Sequence, residues 1–349
     1  MSSSWKNLTA AAALCALIGM GTVPAAADPA EAQAFVEAVQ MQGLTDELKS
    51  LFGLELPASG PVEAKALGQA GDLFGDLTYR GDNVPHFLTV LERAARLHAS
   101  LSAPGSEGRL TTFNSLYGTR LTAGRPSEED VAVLFSVAGS PDHEPVSYQE
   151  MLGRVHEILA RLRQEPALLA DHNVWNGTSI QAEGGITTED AASLFGLAGD
   201  PAFVPAEYLR LLPGAIRVWR HASRLNDGRD FNLIYGTQLD PAAVHPSAEE
   251  RGLIMGIVGG YWGGHLNEHE SFNYFRVLAE AAQYFTDLQS SPGLLDRYNR
   301  RFGTKDVPPL PAQGPIAEPK AREKLLYLIS QAVLKRMPIQ RYLSTYVSK

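Results

Sequence analysis

Apolar residues along this chain recur at helical rather than strand spacing. Tyr148, Met151, Leu152, Val155, Ile158, Leu159 and Leu162 fall on one face at steps of three and four. Tyr208, Leu211, Leu212, Ala215, Val218, Ala222 and Leu225 repeat the pattern, and Phe272, Phe275, Leu278, Ala279, Ala282 and Phe285 repeat it again. Each run predicts an amphipathic helix with one buried stripe. A shorter element lies before each. Ser127-Glu128-Glu129-Asp130, Leu134-Phe135 and Ala138-Gly139 are echoed by Thr187-Thr188-Glu189-Asp190, Leu194-Phe195 and Ala198-Gly199. A third copy reads Ser247-Ala248-Glu249-Glu250, Ile254-Met255 and Val258-Gly259, each about 60 residues after the last. The hydroxyl residue and the acid three places on predict capping boxes, and the late glycine predicts a left-handed helix end. Ser147 and Glu150 predict a further box at the start of a long helix.

The third recurring element is Asn114-Ser115-Leu116-Tyr117-Gly118-Thr119, matched by Asn173 to Thr178 and Asn232 to Thr237. It predicts a helix end, a glycine stop and an extended connection. Ser50-Leu51-Phe52-Gly53, Ala70-Gly71 and Phe87, Val90, Leu91 and Ala94 form an earlier, worn copy. The expected fold is therefore all-α: four tandem units of roughly three helices (residues 44–105, 106–165, 166–226 and 227–290), forming a bundle-like solenoid within a domain of residues 28–306. Residues 307–319 (VPPLPAQGPIAEP) are proline-rich and predict an extended linker. Residues 320–349 predict a basic closing helix with Leu325, Leu326, Ile329, Ala332 and Val333 on its apolar face.

The N-terminus changes the setting. Lys6, the apolar run from Leu8 to Ile18, and Ala25-Ala26-Ala27 have the form of a signal peptide cleaved before Asp28. Cys15 is the one cysteine and lies inside that signal, preceded by Leu14 where lipid attachment needs a small residue. The exported chain would hold no disulfide, so its core must supply its stability. These features predict the periplasm, with secretion as the alternative. The whole chain carries a net charge of -9, and an acidic body lacks the concentrated cationic face that nucleic acid requires.

Candidate chemistry is sparse. His265-Leu266-Asn267-Glu268-His269 resembles the H-x-x-E-H motif of the inverzincin metallopeptidases, which implies zinc on His265 and His269 with Glu268 as general base. That family adds an acidic ligand downstream, for which Glu318 and Glu323 are the candidates past Asp306. Asn267 and Glu270 equally predict a capping box there. Gly259, Gly260, Tyr261, Trp262, Gly263 and Gly264 precede it and lengthen this copy's connection by four residues. The pairs Glu128/Glu129 and Glu249/Glu250 read as first-turn acids. His156, His172 and His221 have no metal-ligand spacing. No catalytic residue, nucleotide loop or cofactor is implied.

Tyr117, Phe135, Trp175, Phe195, Tyr235 and Met255 stand at recurring places, and with Tyr261 and Trp262 they are the candidate contacts for an apolar ligand. Over residues 44–290 this organisation resembles the helical-repeat components of bacterial lipid and sterol export across the periplasm. The resemblance implies a carrier holding a sterol- or hopanoid-like lipid between helices, working with membrane-associated transport partners. A protein-interaction scaffold and a zinc-dependent hydrolase are the alternatives.

Overall fold

The computed structural model describes residues 28–79, 83–140, 145–240, 242–260, 271–303 and 306–346. The expected signal segment and the stretch holding Tyr261, Trp262, His265, Glu268 and His269 lie outside the described residues. All regular structure among the described residues is helical. The sixteen helices are α1 (Pro29–Gln42), α2 (Thr45–Phe52), α3 (Ala64–Tyr79), α4 (Val84–Leu101), α5 (Glu107–Tyr117), α6 (Glu128–Gly139), α7 (Pro145–Gln164) and α8 (Pro166–Asn176), followed by α9 (Thr188–Ala198), α10 (Pro205–Ala222), α11 (Leu225–Tyr235), α12 (Ala248–Gly259), α13 (Ser271–Ser290), α14 (Pro292–Phe302), α15 (Pro319–Leu334) and α16 (Ile339–Tyr346).

From α2 onward the chain cycles through a short helix, a middle helix and a helix that is long in most turns of the cycle. It completes that cycle five times, because α14, α15 and α16 continue the order. Residues 307–318 connect α14 to α15, and Leu310 and Ile316 within them are buried. The basic C-terminal segment forms two helices, α15 and α16.

Two compact units are distinguished. Of the described residues, one takes in those to Leu169 together with Thr178–Ala206; the other takes in Ala170–Gly177 and those from Glu207. One packing rule serves inside each. In the first, α4 packs on α2 and on the following α6, and α7 packs on α5 and α9. In the second, α13 packs on α11 and α15. These three long helices thus bury their stripes against their own short helix and the next middle helix. Leu152, Val155, Ile158 and Leu162 on α7 are essentially inaccessible, as are Leu278, Ala281, Phe285 and Leu288 on α13. Burying a Leu, Ile or Phe side chain is worth about 1.5–3 kcal/mol, so these stripes dominate the stability of each pair. The helix α1 packs on α3 as long helices do on the next middle helix.

Three local expectations need correction. The left-handed glycines end the short helices: Gly118 has φ 68° and Gly236 has φ 72°. The glycines closing the middle helices do not adopt positive φ. A Cβ on Gly139 would lie 3.6 Å from Val90 and one on Gly259 3.4 Å from Leu211, ordinary contact distances, so packing there admits a small side chain.

The capping boxes also differ. Ser127 and Thr187 accept from the backbone N–H of Asp130 and Asp190, but only Ser247 and Glu250 make a reciprocal box. The two aspartates reach instead to the preceding connection, where Asp130 accepts from the Arg120 N–H at 3.0 Å and Asp190 from Ser179 at 2.9 Å. Finally, α7 begins at Pro145, so Ser147 lies inside the helix rather than at its cap.

Candidate functional site

The asparagine four places before each glycine stop is the first functional side chain of the connections. Asn114 Oδ1 accepts from Thr119 Oγ1 and the Leu121 N–H, while its amide donates to the Leu121 carbonyl. Asn232 Oδ1 likewise accepts from Thr237 Oγ1 and the Leu239 N–H. Asn299 clasps Leu310 by both amide atoms across a longer connection. These bonds satisfy backbone groups that a buried turn would otherwise strand, and they make each connection rigid.

The recurring aromatics lie in seams of three or more rings, two of which draw on successive copies. Phe135 on α6 packs at 5.6 Å from Phe52 and 5.4 Å from Phe87, which belong to the preceding copy. Phe195 on α9 stacks on Tyr148 at 5.8 Å, and the Tyr148 hydroxyl donates to Tyr117 at 3.1 Å. Tyr117 and Phe195 are therefore joined through Tyr148, whereas Phe135 belongs to a different seam. In the second unit Tyr274 donates to the Tyr235 hydroxyl at 3.1 Å, and Tyr235 stacks on Phe231 with the Arg322 guanidinium over its ring.

Trp175 is 1% exposed and occupies a different register from the tyrosines. Counted back from the glycine stops, it stands with Leu116 and Ile234, both buried, while Asn176 stands with Tyr117 and Tyr235. Asn176 donates to the Tyr208 hydroxyl at 2.8 Å, and His172 Nδ1 lies 2.9 Å from that hydroxyl. A smaller amide and a buried imidazole thus fill the space that a tyrosine takes elsewhere. Met255 is half-buried on α12.

Burial sets the electrostatics of these pairs. It pushes the phenols of Tyr117 and Tyr235 up to about 12, and those of Tyr148 and Tyr274 well above their ordinary value. Such groups stay neutral and donate or accept hydrogen bonds; they supply no base. The sign of the pH dependence follows. A phenol whose folded pKa lies above its unfolded value of 10.0 contributes full stability below pH 10 and loses it as pH rises through 12. Each shift of this size is worth about 3 kcal/mol. Helical circular dichroism is expected to hold from neutral pH to about 10 and to collapse cooperatively between about 10 and 12.

The other polar candidates are engaged in the fold. His156 Nδ1 meets Thr112 Oγ1 at 2.9 Å, and the ring of His221 packs on Phe275, its pKa lowered by burial and by Arg224. Glu128 and Glu129 are exposed in the first turn of α6, and Glu250 accepts from the Ser247 N–H. Glu318 precedes α15 as its N-cap residue and Glu323 is exposed on that helix. Among the described residues no three His, Cys, Asp or Glu side chains converge as metal ligands.

A shallow groove too tight to admit a water molecule lies between α14 and α15, lined mainly by Tyr298, Phe302, Val307, Pro308, Leu310 and Lys324. Comparison with protein-family models, curated proteins and solved structures finds no match. Function must therefore be argued from this chain's own geometry. Tyr148, Tyr274 and Asp130 carry much of that geometry and were not among the sequence-derived site residues. Tyr148 and Tyr274, with Tyr208, stand 28 or 29 residues before the next glycine stop, and Asp130 follows its cap residue by three places as Asp190 does.

Proposed function

We propose that this protein is an exported helical-repeat scaffold, which holds a macromolecular partner on its outer helical faces and performs no chemistry of its own. The observation that carries this reading is the pairing of the Tyr148–Tyr117 and Tyr274–Tyr235 hydroxyls inside the seams. An apolar ligand entering either seam would separate packed rings and strand two hydroxyls, each costing about 1–3 kcal/mol. The rigid connections clasped by Asn114, Asn232 and Asn299 favour a preformed surface, which binds with less ordering cost. Export rests on the N-terminal segment, and Asp28, the residue after the expected cleavage, caps α1 by accepting from the Ala30 N–H.

Native mass spectrometry and cross-linking of the protein isolated from its own host test the proposal. The scaffold reading expects no stoichiometric small molecule, a mature chain beginning at Asp28, and reproducible cross-links from exposed residues to one partner protein. A stoichiometric sterol- or hopanoid-like lipid would overturn it in favour of the carrier. Bound zinc that is lost on His265→Ala would overturn it in favour of the hydrolase.

A further inference from the structure

The chain is electrically lopsided. Residues 28–291 hold 18 Lys and Arg against 35 Asp and Glu, whereas residues 292–349 hold 11 against 4. On α14 the cations stand exposed. Arg297, Arg300 and Arg301 are exposed on α14, and no ion pair joins them to an acid among the described residues. Arg297 and Arg300 instead donate Nε–H groups to carbonyls of their own helix, at Gly293 and Asp296. The Arg301 guanidinium lies 5.8 Å from the Phe302 ring. Two places before the glycine stop, where Leu51, Leu116, Trp175 and Ile234 are buried, this copy has the exposed Arg301.

The neighbouring helix continues the face. Lys320, Lys324, Tyr327, Gln331 and Leu334 follow one another at steps of four, three, four and three on α15, which places them on a single stripe. The opposite side of that helix is buried through Ala321, Leu325, Leu328, Ile329 and Ala332. Tyr327 is 49% exposed and Leu334 69%, two of the few large apolar side chains left accessible. Lys324 lines the groove with Tyr298 and Phe302 of α14, so the stripe begins beside the helix that carries the arginines. The acids on these elements are Asp296, Glu318 and Glu323, and the cations outnumber them.

We propose that this face of α14 and α15 binds the surface of an anionic bilayer. A basic field around an exposed tyrosine and leucine suits headgroup phosphates on one side and the acyl boundary on the other. A tyrosine at that level places its ring in the apolar boundary and its hydroxyl in water. An acidic protein partner would match the charge but not the accessible Leu334. No helix among the described residues is long and apolar enough to cross a membrane, so the attachment is peripheral. This inference does not depend on the scaffold reading.

Co-sedimentation with phosphatidylcholine vesicles, with and without phosphatidylglycerol, tests it. The full chain is expected to bind the phosphatidylglycerol vesicles at low salt and to leave them as salt rises. Arg297→Gln/Arg300→Gln/Arg301→Gln is expected to weaken that binding by at least about tenfold, since each cation near an anionic surface is worth about fivefold. Leu334→Ser, with all charges kept, is expected to weaken it as well. Both variants carry the same N-terminus as the parent, so the differences read this face alone, and circular dichroism confirms that they fold. Equal binding to both vesicle types, no binding to either, or unchanged binding by the arginine variant would overturn the proposal. Salt-sensitive, concentration-dependent self-association in place of vesicle binding would overturn it too, and would assign the face to the acidic body of a second copy.

Discussion

Tyr148→Ala is expected to lower the urea midpoint sharply, by the equivalent of about 3–5 kcal/mol, the usual cost of removing a buried aromatic ring. The side chain is 4% exposed, stacks on Phe195 and donates its hydroxyl to Tyr117. Its loss therefore loosens α7 from α9 and from α5 together. Tyr148→Phe keeps the ring and removes only the donor, so it is expected to cost about 1–2 kcal/mol, mostly through the oxygen left unpaired on Tyr117. Removing both hydroxyls, Tyr117→Phe with Tyr148→Phe, is expected to cost less than the sum of the single changes. A double-mutant cycle by urea unfolding measures this coupling. Equal losses for Tyr148→Phe and Tyr148→Ala would show that the hydroxyl pair, not the ring, sustains the seam.

Trp175→Ala carries the second large effect, again about 3–5 kcal/mol, because an almost inaccessible indole leaves a void that the backbone can only partly close. Trp175→Leu installs the residue found at the same place in the copy containing Leu116. It is expected to cost clearly less, since part of the volume is restored and leucine already serves at that register. Urea unfolding followed by far-ultraviolet circular dichroism reads both variants without using the indole as the probe. A Trp175→Leu variant as damaged as Trp175→Ala would mean that the three short helices do not share a packing register.

Much of the architecture was legible from spacing. The stripe on α7 appears in the sequence as Leu152, Val155, Ile158, Leu159 and Leu162, and all five are buried. Ser127, Thr187 and Ser247 cap their helices where the hydroxyl residues stand. What spacing could not reveal is the destination of a polar side chain. Asp130 and Glu250 occupy the same place in their copies, yet Asp130 crosses to Arg120 while Glu250 turns back to Ser247. The partner lies ten residues away in one case and three in the other: the longer glutamate reaches back to its own cap residue, and the path of the connection brings the Arg120 N–H to the shorter aspartate.

The same limit explains the aromatics. Phe135 and Tyr117 were grouped as members of one set of recurring places, but each takes its ring partners from a different seam. The fifth turn of the cycle, α14 to α16, was hidden because its connection is longer and its short helix carries arginines where others are apolar.

By itself the sequence determined that this chain is helical, repetitive and acidic in its body, because helical periodicity, caps and charge are local properties. Tertiary structure alone decided which copy each side chain serves, that the tyrosine hydroxyls pair in the interior, and that the arginines of α14 stand exposed. Those outcomes depend on contacts between residues tens of positions apart, whose burial and pairing no local pattern encodes.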